Sequence, residues 1–270
     1  VSVENQIDPQ RVQLGPRFWE HSPLVLTATI HVASGLADSP IADPVQRTHD
    51  YLRCLRFYLD QPCVSRLVFA ENSGADLTPF RDLAASASKP VEILALDHNS
   101  FPVEFGKGYG EALLIDCILA TSKQLEAAPA FMKATGRLLV RNINALTRTT
   151  DTSASAHFDV RDHDWHKRLG LSGTAHHADT RFFVIHRALF DAHFRDLHTR
   201  HTRGTFSIEA SYLTALRDAQ RAGWLIRDRF SVEPVYGGVA GHGKNYDSLR
   251  ERGKRAIRSA ARRWLPSLKI

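Results

Sequence analysis

The stretch FMKATGRLLVRN, Phe131 to Asn142, sets Lys133, Thr135, Gly136 and Arg137 inside a run that otherwise reads as buried. An arginine holds two phosphate oxygens at once through its planar fork, and a lysine supplies a compact point charge. A glycine between them lets the backbone come close to a ligand. Together these residues suit a diphosphate. The plainer reading is a kinked strand whose long side chains reach water along their apolar stems.

A second stretch, GKGYGE from Gly106 to Glu111, runs into the apolar segment EALLIDCILATS. Glycines ahead of a helix let backbone N–H groups approach an anion. The spacing is not that of a dinucleotide fingerprint, and no Ser or Thr follows Lys107 as in a P-loop. A structural turn explains the glycines as well as a ligand loop does. SIEASYL places Glu209 in the first turn of a helix, where an acid gains about 0.3–1 kcal/mol from the helix dipole or serves as a base. DHDWH and AHHAD invite a metal, but neither has zinc-ligand spacing with partners. There is no Gly-x-Ser-x-Gly elbow. Cys54, Cys63 and Cys117 sit in apolar contexts and are an odd number, which predicts buried free thiols in a reducing compartment.

The elements that must position these residues alternate. LVLTATIHV, Leu24 to Val32, predicts a strand. DPVQRTHDYLRCLRFYLDQ predicts a helix, with Pro44 in its first turn and Val45, Tyr51, Leu52, Leu55 and Leu59 at helical spacing. VSRLVFAENS predicts a second strand, ending in Glu71, Asn72 and Ser73. A short helix over 77–87, a strand over 91–96, a buried helix in EALLIDCILATS and a fourth strand from Phe131 complete the pattern. Such alternation predicts an α/β fold: a mostly parallel sheet with helices on both faces. Ligands of these sheets sit beyond the carboxyl ends of the strands. Thr29 and His31, Glu71 to Ser73, Asp97 to Asn99, and Lys133 to Arg137 would share that rim.

The second half is less regular. FDVRDHDWH predicts a loop, TRFFVIHRALFDAHF a strand running into a helix, and EPVYGGVAGHGKNY a loop. FSIEASYLTALRDAQRAG predicts a helix with Ile208, Tyr212, Leu213 and Leu216 on one face. No repeat or linker divides the chain, so one domain over 1–247 and a tail over 248–270 are expected.

Hydrophobic residues make up 43% of the 270 and charged residues 24%, a globular balance. No apolar stretch approaches the roughly 20 residues that span a bilayer, and no secretory signal is recognisable, so a cytoplasmic protein is expected. The net charge of +6 is local. Residues 248–270 hold eight Lys/Arg and one Asp/Glu, and the rest holds 27 and 28. A nucleic-acid partner, which needs cations spread over the fold, is not expected. In the tail, Ile257, Ala260, Ala261, Trp264, Leu265 and Leu268 recur at helical spacing until Pro266 disturbs it, with Arg255, Arg258, Arg262 and Arg263 on the remaining surface. This predicts an amphipathic helix lying peripherally on an anionic membrane. The alternative is a helix that docks its apolar stripe on the domain and exposes its cations.

GKGYGEALL, FMKATGRLLVRNI, DTRFFV, SIEASYL and VYGGVAGHGKNY together resemble a group of bacterial glycosyltransferases of capsule and O-antigen type. Members carry a Gly-Lys-Gly-x-Gly-Glu segment before a helix and a Lys-x-Thr-Gly-Arg strand. The resemblance runs from Leu24 to Tyr246. It implies a GT-A-like fold, with a Rossmann-like nucleotide-binding half over 24–146 and an acceptor-shaping half over 147–247. It implies sugar transfer from a nucleotide sugar, a UDP-sugar favoured, to a surface-polysaccharide or lipid-linked glycan at the inner face of the bacterial inner membrane. Thr29, Glu71, Asn72 and Ser73 would then hold base and ribose. Lys107, Lys133, Thr135, Gly136 and Arg137 would hold the diphosphate, joined by His242 and Lys244. Glu209 would be the general base of an inverting enzyme, with Asp179 second; a retaining enzyme would need Glu209 for orientation instead. The Asp-x-Asp metal motif usual in GT-A enzymes is replaced by Lys133 to Arg137, so no divalent metal is expected; cations and oriented N–H groups take over its electrostatic role. Leu138 departs from the aromatic that usually follows the arginine. The alternative is a non-catalytic nucleotide- or glycan-binding module of the same fold. A sugar nucleotidyltransferase would carry a basic glycine-rich loop after the first strand, and IHVASGLADSP has no lysine or arginine.

Overall fold

The computed structural model describes residues 7–32, 42–97, 99–162, 176–239 and 243–264. Strands β1 (Leu24–Ala28), β2 (Leu67–Glu71), β3 (Val91–Ala95) and β4 (Ala130–Thr135) alternate with helices α1 (Pro44–Leu59), α2 (Thr78–Ala85), α3 (Gly106–Thr121) and the single turn α4 (Lys123–Glu126). Then come β5 (Leu139–Val140), α5 (Ile143–Arg148), β6 (Ala156–Asp162), β7 (His176–His186), α6 (Arg187–His193), α7 (Ile208–Arg221), β8 (Ile226–Arg227), β9 (Tyr236–Gly237) and α8 (Leu249–Trp264).

Seven strands form one sheet in the order β3-β2-β1-β4-β7-β6-β8, and β5 pairs with β9 in a separate ribbon. The pairs among β1 to β4 are parallel, while β7 runs antiparallel to both β4 and β6. The chain moves outward from β1 through β2 to β3, then returns to place β4 on the other side of β1. That reversal opens a crevice between the carboxyl ends of β1 and β4.

Side-chain alternation along the strands feeds two cores. Leu24, Leu26, Met132 and Ala134 pack with α1, α2 and α5, while Val25, Phe131 and Phe183 pack with α3, α6 and α7. The expected α/β sheet with helices on both faces is therefore what the chain forms.

Local expectations need three corrections. FDVRD belongs to β6 rather than to a loop, because it pairs along β7 with one irregularity between His157 and Asp159. Val45 of α1 is 77% exposed, and the buried face of that helix carries Arg47, Asp50, Tyr51, Cys54, Leu55 and Tyr58. The cysteines are free, with Cys54 and Cys63 buried as expected and Cys117 only half-buried, and burial pushes the Cys54 thiol up to about 12, which keeps it protonated and unreactive. Most of IHVASGLADSP, nearly all of DHDWH, His242 and the chain beyond Trp264 lie outside the described residues.

The tail is the third correction. Helix α8 docks on the domain, but through its charges rather than its apolar stripe. Arg262 donates to Glu233 at 2.8 Å, to Asp159 at 2.6 Å and to the Phe230 carbonyl at 2.6 Å. Arg258 lies 3.4 Å from Glu233, and buried Glu251 pairs with Lys244 at 3.0 Å and Lys254 at 3.2 Å. No helix among the described residues is long and apolar enough to cross a membrane.

Candidate functional site

A cavity opens in the crevice beyond β1 and β4. Its walls include Thr29, Asn72, Thr135, Arg47, Tyr51 and Arg137, with Lys107, Gly110 and Glu111 contributed by α3. The rim expected from the strand ends therefore encloses a real space.

Its floor is tightly knit. The Thr29 N–H donates to the Tyr51 hydroxyl at 3.0 Å, and the Thr29 hydroxyl donates to Asn72 Oδ1 at 2.7 Å. The Thr29 carbonyl accepts from Arg47 Nε at 2.8 Å. Glu71, only 1% exposed, turns from the space and accepts from the N–H groups of Ile30 (2.8 Å), Ser73 (2.9 Å) and Ala75 (3.3 Å). The Ser73 hydroxyl donates to Glu71 and accepts from the N–H of His31 at 2.8 Å. Glu71 and Ser73 thus clamp the loop after β1 to the loop after β2, and a direct role for the Glu71 carboxylate on base or ribose has no free oxygen to use. Asp97 is exposed outside the cavity wall.

Arg137 lies in the turn after β4, which the Leu138 N–H closes onto the Thr135 carbonyl at 2.9 Å. Gly136 makes that turn possible: a Cβ there would lie 2.5 Å from the Thr27 carbonyl and 3.1 Å from the Tyr51 ring. Arg137 is 5% exposed, and its buried Nη1 has no hydrogen-bond partner. Arg47 is equally buried, and each guanidinium carbon lies 5.9 Å from the centre of the Tyr51 ring. Burial lowers the Arg47 pKa, and the neighbouring Arg137 charge lowers it further. A buried cation with an unmet donor is costly. Two cations facing one cavity fit an anion that enters it. Lys107 adds a third from the exposed rim.

Lys133 is placed otherwise than expected. Strand alternation sends it to the α3 side, and its side chain is fully buried. The ammonium donates to Glu111, to the Thr180 carbonyl at 2.7 Å and to the Thr135 hydroxyl at 3.2 Å. Its three hydrogens all have acceptors, leaving none for a diphosphate. The KATGR and GKGYGE stretches are therefore joined by an ion pair, and Lys133 presents Glu111 to the cavity. The glycines of GKGYGE lie within the first turns of α3. A Cβ at Gly108 would lie 2.5 Å from the Phe206 carbonyl, and one at Gly110 would lie 2.6 Å from the Phe101 ring. Their service is close packing, with Gly108 pressing the start of α3 onto the start of α7.

That contact sets Glu209, in the first turn of α7 and half-buried, near Glu111 and Lys133; it stands behind Glu111 rather than in the cavity wall itself. Burial raises the Glu209 pKa and the Glu111 charge raises it further, against a smaller opposing pull from Lys133. Asp179 lies in β7 away from the cavity wall, and Arg181 grips it through Nε at 2.8 Å and through Nη2. Burial alone would raise the Asp179 carboxyl; the Arg181 charge outweighs burial and holds it at about 2. Such an acid is too weak a base for the role that made it second to Glu209. Lys244 is drawn to Glu251 and away from the cavity wall. Leu138 is 1% exposed in the core.

Arg47, Tyr51 and Glu111 were given no role from the sequence, although Glu111 closes the GKGYGE stretch. A helical wheel contains the signal for the first two, because Arg47, Tyr51 and Leu55 repeat every four residues on one face. Among the described residues, Asp116, Asp196 and His198 bring ligand-type atoms within 4.8 Å of one another, away from the cavity wall.

Among solved structures the chain is similar to an inositol-1-phosphate CTP transferase from T. maritima, at 12% identity over 77% of this chain and 84% of that one, TM-score 0.45. It is also similar to a 4-diphosphocytidyl-2C-methyl-D-erythritol synthase from Anaerococcus prevotii, at 11% identity over 90% and 99%, TM-score 0.45. A third is a CMP:2-keto-3-deoxy-manno-octonic acid synthetase complexed with CTP, at 12% identity over 76% and 88%, TM-score 0.38. Likenesses of this size assign no activity to this chain. No family model matches it, and no curated protein sequence matches it.

Proposed function

We propose that this chain is a nucleotide-sugar-dependent glycosyltransferase acting on a surface-polysaccharide or lipid-linked glycan, with a UDP-sugar as the favoured donor. One observation carries the reading: a buried guanidinium, Arg137, lies in the crevice between β1 and β4 with an unmet donor. The diphosphate belongs on Arg137, Arg47 and Lys107, with Thr29 and Asn72 toward the ribose and base. Residues 24–146 hold the donor and 147–247 shape the acceptor side. Glu209 takes the proton from the acceptor hydroxyl as its oxygen bonds to the anomeric carbon. The bond from that carbon to the diphosphate breaks, and the electron pair leaves on the diphosphate oxygen, which the guanidinium charges stabilise. A single displacement of this kind inverts the configuration at the anomeric carbon. The cations take the electrostatic part that a divalent metal takes in Asp-x-Asp enzymes.

The resemblance carried by KATGR and GKGYGE supports sugar transfer, and the buried unmet guanidinium supports an anionic leaving group. The test is thermal shift and calorimetry with nucleoside diphosphates, nucleotide sugars and nucleoside triphosphates in excess chelator, followed by donor hydrolysis. A ligand at a hundred times its Kd stabilises by about 2.7 kcal/mol. The expected results are binding of a nucleoside diphosphate, slow donor hydrolysis without metal, and weaker binding by Arg137→Ala. Binding without hydrolysis or transfer would support a non-catalytic module. Pyrophosphate release from a nucleoside triphosphate would overturn sugar transfer in favour of nucleotidyl transfer.

A further inference from the structure

Amphipathic helices ordinarily bury an apolar stripe and show charge to water. Helix α8 does the reverse. The Arg262 side chain, 6% exposed, is held by Glu233 and Asp159, and Arg258 and Glu251 face the same way. These contacts fix the rotation of the helix about its axis. The opposite face carries Leu249 (82% exposed), Ile257 (64%) and Trp264 (71%). At 3.6 residues per turn these three fall within about 80° of one another. They are three of the seven exposed large hydrophobic residues described in the whole chain. Exposed Arg250 flanks the stripe on one side, and exposed Arg252 and Arg263 flank it on the other. The Arg263 guanidinium lies 5.3 Å from the centre of the Trp264 ring.

We propose that this outward face of α8 seats on an anionic bilayer surface, with the helix lying in the plane of the interface. Leu249, Ile257 and Trp264 enter the boundary between headgroups and acyl chains, where tryptophan is favoured. Arg250, Arg252 and Arg263 meet lipid phosphates. The charge complementarity selects lipid over an apolar protein groove: cations stand on both flanks of the stripe, and no acid lies among them, since Glu251 faces inward. The sequence pattern alone gave Arg258 and Arg262 to the membrane and Ala261 to the apolar stripe, whereas all three face the domain. The proposal does not rest on the glycosyltransferase reading, because it concerns a different surface and needs no activity.

The test is sedimentation of the full chain with vesicles of phosphatidylcholine alone and of phosphatidylcholine with phosphatidylglycerol. The chain should sediment with the anionic vesicles, and added salt should weaken this. Ile257→Glu with Trp264→Glu should abolish sedimentation. Arg263→Gln should weaken it roughly fivefold, the share of one basic residue near an anionic leaflet. Thermal midpoints should hold in these variants, since the substituted side chains are exposed. Equal binding to both vesicle types would overturn the proposal, as would wild-type binding by Ile257→Glu with Trp264→Glu. A concentration-dependent dimer in sedimentation equilibrium, lost in that variant and without vesicle binding, would assign the face to a second copy instead.

Discussion

Arg137 and Arg262 are both buried arginines, and their surroundings are opposite. Arg262 meets two carboxylates and a carbonyl within 2.8 Å. Arg137 lies beside Arg47 with an unmet N–H in a cavity. The carboxylates split in the same way: Asp179 is held at about 2 by Arg181, while burial and Glu111 raise Glu209. Around α8 and β7 the charges answer one another and hold the structure. At the crevice an Arg137 N–H is left for something else to answer. Polarity and burial alone do not separate the two regions; partner lists do.

Exchanging the two carboxylates for amides gives the largest contrast. Glu209→Gln should lower turnover by about 10²–10⁴-fold with donor binding kept, as for loss of a general base. Asp179→Asn should leave turnover per folded molecule near wild type. Steady-state kinetics with calorimetry would measure both, and reversed results would exchange the two roles. Next in size is Arg262→Ala, which takes from Asp159 its Arg262 partner and leaves Glu233 with Arg258 alone, and should cost about 3–5 kcal/mol in urea unfolding. The same change at Arg137 should leave unliganded stability unchanged or raised. Its loss should show instead in nucleoside diphosphate affinity, by about 1.5–3 kcal/mol in calorimetry, and Arg137→Lys should recover little because it lacks the fork.

Acid unfolding follows from Asp179. Its folded pKa is depressed, so its stabilisation is present above the unfolded value of 3.8 and is lost as pH falls toward about 2. The size is about 2 kcal/mol, and Asp179→Asn should flatten that part of the stability curve. The smallest effect is on the acid limb of the activity profile. Glu209 must be ionised to act, so activity should rise with pH through its raised pKa. Glu111→Gln removes a repelling charge and should shift that limb to lower pH; a limb that stays in place would dissociate the two carboxylates.

Much of this contrast was legible in the sequence, and its limits have particular causes. The four parallel strands and the polar rim followed from short apolar runs that end in polar residues and alternate with helices, a local signal even for strands such as β1 and β2 that are buried along their whole length. The place of Arg137 at the crevice followed from residue type and from its position at a strand end. What escaped depends on partners distant in sequence. Lys133 pairs with Glu111 across 22 positions, and nothing local says that its donors are all taken. Arg262 reaches Asp159 across 103 positions, so a tail that reads as a membrane helix with outward arginines has two of them turned inward. Glu71 read as a ligand residue for the same reason, since its acceptors serve backbone groups that polarity patterns do not display.

Gly108 carries one further consequence. A single added carbon there would meet the Phe206 carbonyl at 2.5 Å and the Ile208 nitrogen at 3.0 Å. Both contacts are with main chain, which cannot rotate aside, so the starts of α3 and α7 would have to part. Glu111 sits three residues after that contact on one helix, and Glu209 one residue after it on the other. The spacing between the two acids, and with it how strongly Glu209 feels the charge of Glu111, is gauged by an atom that glycine lacks. Gly108→Ala would therefore retune the Glu209 carboxyl without removing any ionisable group from the molecule.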